Sequence, residues 1–213
     1  MIQPQLTYSE DIHEYRWYNK PVVSSTQVLS SVGTKTIRNG IELWNPIGFN
    51  DRFLSDETAA NFGKAFHKIA SILLLDGIPG FPAAMEPYVK MFRKFLSDFP
   101  FVVLEHKGEP LVECPLYSER YCYAGTPDVW VLEKGGKEIW LLDWKTSTQD
   151  QGHWNYQTAS YEQLGKEVFG FKMKIVRKTV RFTEENYFVR TRDNMPQDFN
   201  GFLSCLNVLK LAA

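Results

Sequence analysis

The chain has 213 residues, 44% hydrophobic and 23% charged, with 24 lysines and arginines against 25 acids for a net charge of −1. These proportions suit one soluble domain with a sizeable core and exclude disorder, collagen-like repetition and a strongly basic nucleic-acid coat. No apolar run reaches the roughly 18 residues that span a bilayer, since Ile72 to Leu75 stops at Asp76 and Ile139 to Leu142 stops at Asp143.

Residues 1–55 hold short strand-like pieces, Tyr15 to Tyr18 and Val22 to Val28, broken by Asn19, Lys20, Pro21, Gly33, Gly40 and Pro46. A hairpin and irregular cover is expected there. Ser55, Asp56 and Glu57 form a helix start, with a hydroxyl cap and early acids to meet the free N–H groups. From Ala59 to Leu75 apolar residues recur at helical spacing (Phe62, Phe66, Ile69, Leu73), and a second helix is expected from about Pro82 to Asp98. After Pro100 the period becomes that of strands: Phe101 to His106, Leu111 to Leu116, Tyr121 to Leu132 and Glu138 to Lys145, with Gly108 and Gly135-Gly136 as turns. Gln157 to Val168 returns to helix, Phe171 to Phe182 and Tyr187 to Arg192 are expected as strands, and Asp198 to Leu211 as a closing helix. Helix, three-strand meander, helix, strand is the order of an α/β or α+β fold, a central mixed sheet flanked by helices. One domain is expected over residues 1–213: cover 1–55, core 56–170, then basic strands and the closing helix in 171–213.

The chemistry gathers around Ile139 to Lys145. Alternate strand residues share a face, so Asp143 and Lys145 point one way and Trp144 the other. Burying an acid and a base costs desolvation unless something offsets it, either a salt bridge or a working site. An acid-x-Lys triplet arises by chance about once or twice in such a chain, and Glu105-His106-Lys107 is a second example. Only the first has an upstream partner: Asp128, after Pro127, would come beside Asp143 across a hairpin through Gly135-Gly136, bringing two hard oxygen ligands together. Taken alone, Asp128 is equally a turn acid after proline.

Pro127-Asp128 followed by Asp143-Trp144-Lys145 resembles the PD-(D/E)xK nuclease superfamily, whose restriction-endonuclease-like core is a mixed sheet flanked by helices. Three further pieces resemble its RecB-like and lambda-exonuclease-like branch: Gly63 with His67 on the preceding helix, Glu113 on the preceding strand, and Gln157 with Tyr161 on the following helix. Asn19 to Leu29 is similar to an opening strand and turn of phage and mitochondrial members. The similarity covers roughly residues 15–165. It implies a metal-dependent deoxyribonuclease, with an exonuclease favoured over an endonuclease or a silent DNA-binding module, and products that carry a 5′-phosphate. Asp128, Asp143, His67 and the Trp144 carbonyl would hold Mg2+ or Mn2+, one or two ions, and Lys145 would orient the attacking water or stabilise the transition state. Gln157 and Tyr161 would contact the site or the nucleic acid, against the alternative of an ordinary polar stripe on the helix. Glu113 has three open roles: direct ligand, support behind the ligands, or partner to a lysine. Gly63 suggests a close approach on the His67 face, because it costs helix stability of about 1 kcal/mol relative to alanine.

Members with an iron–sulfur cluster need four cysteines, and this chain has three, Cys114, Cys122 and Cys205, so no cluster is expected and these are taken as structural thiols. No phosphate-binding Gly-Lys-Ser/Thr loop is present, so any unwinding must come from elsewhere. DNA is the implied partner, single- or double-stranded at an end, with room for an oligomer and for a recombination or replication partner protein. No membrane partner is expected. Met1 to Trp17 lacks a basic start and apolar stretch, which points to the cytoplasm, or the host-cell cytoplasm for a phage-encoded chain. Between Lys166 and Arg192 eight basic residues stand against three acids. Lys172, Lys174, Arg177 and Lys178 are therefore candidates for phosphate contact, against the alternative of a solvated strand face. Trp44, Phe49, Trp154 and Tyr156 are candidates for base stacking.

Overall fold

The computed structural model describes residues 2–10, 12–31, 33–38, 41–46 and 57–212. The helix start at Ser55 and Asp56, the break at Gly40 and the stacking candidate Phe49 lie outside the described residues, as does the side chain of Trp44.

The N-terminal part holds β1 (Leu6–Ser9), β2 (Glu14–Trp17), β3 (Lys20–Val22), α1 (Ser25–Ser31), β4 (Gly33–Arg38) and β5 (Ile41–Pro46). Two helices follow, α2 (Glu57–Leu74) and α3 (Glu86–Asp98). Then come β6 (Phe101–Val103), β7 (Glu105–His106), β8 (Glu109–Pro110), β9 (Leu116–Ser118), β10 (Tyr123–Gly125), β11 (Val129–Glu133) and β12 (Ile139–Lys145). The chain ends with α4 (His153–Phe169), β13 (Ile175–Phe182), β14 (Tyr187–Arg192) and α5 (Met195–Ala212). No helix among the described residues is long and apolar enough to cross a membrane.

Four expected strands differ, and one of them, Phe101 to His106, divides at Leu104 into β6 and β7, which lie in different sheets. Val22 to Val28 gives only the end of β3 before α1 begins, because Ser24 and Gln27 form a capping box. The Gln27 N–H donates to Ser24 Oγ at 3.1 Å and the Ser24 N–H to Gln27 Oε1 at 2.8 Å. Leu111 to Leu116 is not continuous: Val112 makes a single bridge to Val129, and Glu113 turns into the left-handed region at φ 45°. Tyr121 to Leu132 splits into β10 and β11 around Pro127, which has no N–H for a ladder.

The central sheet is mixed, in the order β14-β13-β12-β11-β6. Only β12 and β13 are parallel, and α4 makes the crossover between them. One face buries Leu142, Trp144, Val180 and Phe182 against Phe66 of α2 and Phe92 and Phe95 of α3. Ring centroids there lie 5.2 Å apart for Phe92–Trp144 and 5.5 Å for Phe92–Phe182, within the range of favourable aromatic pairs. The other face buries Trp130 and Leu141 against α4 and α5 through Ala159, Leu164, Phe202 and Leu206. Helices thus cover both faces, and the carboxyl end of β12 emerges between the two layers.

Candidate metal and catalytic centre

At that end of β12 the chain assembles ionisable groups from four separate segments. The antiparallel register sets Val129 against Leu142, and one further step of it faces Asp128 with Asp143. Asp128 accepts a hydrogen bond from the Trp144 N–H through Oδ2, while Oδ1 lies 3.0 Å from His67 Nδ1. His67 comes from the middle of α2, one residue after the fully buried Phe66, which anchors the helix on the sheet. Glu113 is aimed by its left-handed backbone. Its N–H donates to the Asp128 carbonyl at 2.8 Å, and its Oε1 sits 3.5 Å from His67 Nδ1. A non-glycine residue in that region is uncommon and costs backbone free energy, and strained residues of this kind cluster at functional sites.

Ligand atoms of His67, Glu113 and Asp128 all lie within 4.8 Å of one another, and no other such group of three occurs among the described residues. Asp143 stands outside that triad, 99% buried, with Oδ2 2.7 Å from Lys145 Nζ. The contact is an ion pair without hydrogen-bond alignment, since Asp143 Oδ2 has no hydrogen-bond partner among the described residues. Glu113 Oε1 is likewise buried and without a hydrogen bond. Each of these oxygens has one positive neighbour, Lys145 for Asp143 and His67 for Glu113, but neither is satisfied by an aligned hydrogen bond, which leaves both open to a further cation. Three carboxylates and an imidazole are donors that a divalent cation such as Mg2+ or Mn2+ takes. Trp144, expected to lend its carbonyl, contributes its N–H to Asp128 and its indole to the aromatic core.

Electrostatics follow from this crowding. Burial disfavours the His67 imidazolium, but the Asp128 and Glu113 carboxylates outweigh it and hold its pKa up at about 10. Burial and the Asp128 charge push the Glu113 carboxyl up to about 7, against the pull of His67. Burial also raises Asp143, with Lys145 opposing. In the metal-free protein a proton on His67 therefore stands where a cation would supply the positive charge.

Lys145 is fixed by α4. Its Nζ donates to Gln157 Oε1 at 3.1 Å, and Gln157 Nε2 donates to the Tyr161 hydroxyl at 3.0 Å. Gln157 and Tyr161 are both buried, so the structure brings them to the lysine rather than to a surface. Gly63 shows no close approach within the chain: a Cβ there would meet Thr146 Oγ1 at an ordinary 3.6 Å.

The other candidates lie elsewhere. Arg177 is interior, paired with Glu162 at 3.1 Å and Asp198 at 2.8 Å, and presents nothing to a ligand. Lys172 and Lys174 sit at the Ile139 end of β12, four residues or about 13 Å from Asp143 at the rise of a strand. Lys174 pairs with Glu138. Lys178 lies opposite Leu142 on the α3 side of the sheet, 4.6 Å over the Trp140 ring. Trp154 is buried, and Tyr156 is packed into the α4–α5 seam against Gly201. The three cysteines are free thiols. Sequence reasoning missed Asp150, which binds Arg190 and Arg192 and pins the loop leaving Lys145. Its partners are 40 and 42 residues away, and no local pattern signals them. Comparison with protein-family models and with curated proteins finds no match.

Proposed function

We infer that the chain is a metal-dependent deoxyribonuclease, an exonuclease by preference, built on a restriction-endonuclease-like core and releasing 5′-phosphate products. The observation that carries it is the pair of buried carboxylate oxygens without hydrogen bonds, Glu113 Oε1 and Asp143 Oδ2, flanking Asp128 and His67 beside a positioned lysine. Asp128, Glu113 and His67 would hold Mg2+ or Mn2+, with Asp143 at the lysine side. A bound divalent cation supplies Lewis-acid charge and makes water a better nucleophile. Lys145 offers three donors and one positive charge: it orients the attacking water and meets the charge that develops on the phosphoryl oxygens. Gln157 and Asp143 hold that ammonium in place, so its orientation is set before substrate arrives. All of Asp128, Asp143 and Lys145 are retained, which favours an active enzyme over a silent binding module. A cytoplasmic setting and a recombination, repair or replication role belong to the same proposal.

End-labelled linear and circular DNA incubated with Mg2+, Mn2+ or EDTA tests it. Metal-dependent loss of the linear label is expected, reduced at least about a hundredfold in Lys145→Ala and Asp128→Asn. Equal degradation by intact and altered chains would sink the assignment, and degradation of circles would make it an endonuclease.

A further inference from the structure

Of the five basic residues of β13 and β14, Arg177 and Arg192 are interior and Lys178 packs over Trp140 on the α3 side, while Arg181 and Arg190 share a register with the candidate centre. Lys145 pairs with Arg181 on β13, and Arg181 with Phe188 on β14. One step back, Asp143 pairs with Thr179, and Thr179 with Arg190. Partners in register point to the same face, here the α4 face. Arg177 and Arg192 on that face bond Asn155 of α4, whereas Tyr187 and Val189 pack with the α2–α3 core on the other. The cover from α4 ends at Trp154, whose ring is 5.6 Å from Lys145 Nζ and 5.8 Å from Arg192 Cζ. Beyond it no helix of the described residues covers the row. Phe188 is 47% exposed, although an aromatic on a strand is ordinarily placed to bury its ring. The Arg181 guanidinium lies 4.3 Å over that ring and, among the described residues, donates only to the neutral Thr148 carbonyl. The Arg190 side chain is 63% exposed beside Asp150. The row runs from Lys145 to Phe188 across two strand spacings, about 10 Å.

We propose that Arg181, Phe188 and Arg190 form a shelf that holds single-stranded DNA leaving the candidate centre. An unpaired base stacks on Phe188, and the adjoining phosphates meet Arg181 and Arg190. Cations without a full complement of acids suit a phosphate backbone, and a flat exposed ring beside them suits a base that is not already stacked in a duplex. The proposal rests on the nuclease reading and extends it to a substrate with an unpaired strand.

Affinity for a fluorescent single-stranded oligonucleotide is measured in EDTA, across salt concentrations, with the full chain. The variants are Phe188→Ala, Phe188→Trp, Arg190→Ala and, as an equal loss of charge on exposed α3, Arg93→Ala. Phe188→Ala is expected to weaken binding about 5- to 100-fold, and Phe188→Trp to restore it. Arg190→Ala should flatten the log–log salt dependence by about 0.7, and Arg93→Ala should change neither. The shelf is overturned if the intact chain does not bind. It is overturned equally if Phe188→Ala binds normally, or if that change weakens a blunt duplex as much as a single strand. Cleavage with Mn2+ is followed in parallel. A cleaving enzyme indifferent to Phe188 loses the shelf and keeps the nuclease, while Phe188-dependent binding without cleavage keeps the shelf and loses the nuclease.

Discussion

Lys145 is held from three sides, by the Asp143 carboxylate, the Gln157 amide oxygen and the ring face of Trp154. Of these, the Gln157 contact belongs to α4 and is separable from the acids. Gln157→Leu keeps the volume, removes the acceptor and leaves the Tyr161 hydroxyl without its donor. Turnover is expected to fall about 10- to 100-fold through lost orientation, with KM and oligonucleotide affinity unchanged. Tyr161→Phe, one bond further out, should fall less. A matching loss of DNA affinity would mean that Gln157 touches substrate rather than the lysine. Asp143, Lys145 and the facing Asp128 were legible in the sequence because strand period and one hairpin determine all three. The partnership of Gln157 with Lys145 was not, since it depends on how α4 docks. Nor was the role of Glu113, since its aim comes from a left-handed backbone that no side-chain pattern announces.

Elements are fixed by contacts as tight as those of the site. Gly165 on α4 lies against Trp130 of β11, and a Cβ there would come within 2.5 Å of the indole. Trp130 is fully buried on the α4–α5 side, so it cannot swing aside as an exposed chain would. Gly165→Ala is expected to destabilise the fold by about 1–3 kcal/mol through overpacking. The urea midpoint should drop at unchanged slope, with specific activity per folded molecule retained. An unchanged midpoint would mean the layer can spread. Helices α2, α3 and α5 and strand β14 were readable from periodicity to within a few residues. Helix α1 was hidden because Val22 to Val28 has strand-like composition, although the Ser24–Gln27 box was there to be read. Pro127 was the visible reason why Tyr121 to Leu132 would not run unbroken.

At the scale of the molecule, near-neutral charge conceals a separation that counting alone misjudged. Eight basic residues against three acids between Lys166 and Arg192 suggested one continuous patch. Yet Arg177 and Arg192 are interior, Lys166 and Lys174 answer Glu162 and Glu138, and Arg190 shares the single acid Asp150 with Arg192. A count cannot see partners drawn from distant parts of the chain. The acids at the centre are the other half, and they couple metal, protons and stability. The His67 pKa is raised from 6.5 to about 10, so its contribution to the metal-free fold is complete below pH 6.5 and is lost as pH rises towards 10. The Glu113 pKa is raised from 4.5 to about 7 by burial of its charged form, so its contribution too is complete below 4.5 and is lost towards 7. Both slopes have the same sign, and the metal-free protein should soften as pH rises across this range. A divalent cation needs both groups without their protons, so its affinity should rise over the same interval. The gap in Tm between Mg2+- or Mn2+-loaded protein and protein in EDTA is therefore expected to widen from about pH 6 to 8.5, because each tenfold gain in affinity adds about 1.4 kcal/mol at fixed excess metal. In His67→Asn the gap should be smaller and flatter with pH. A gap that stays constant or narrows in the unaltered protein would mean that these groups do not hold the ion.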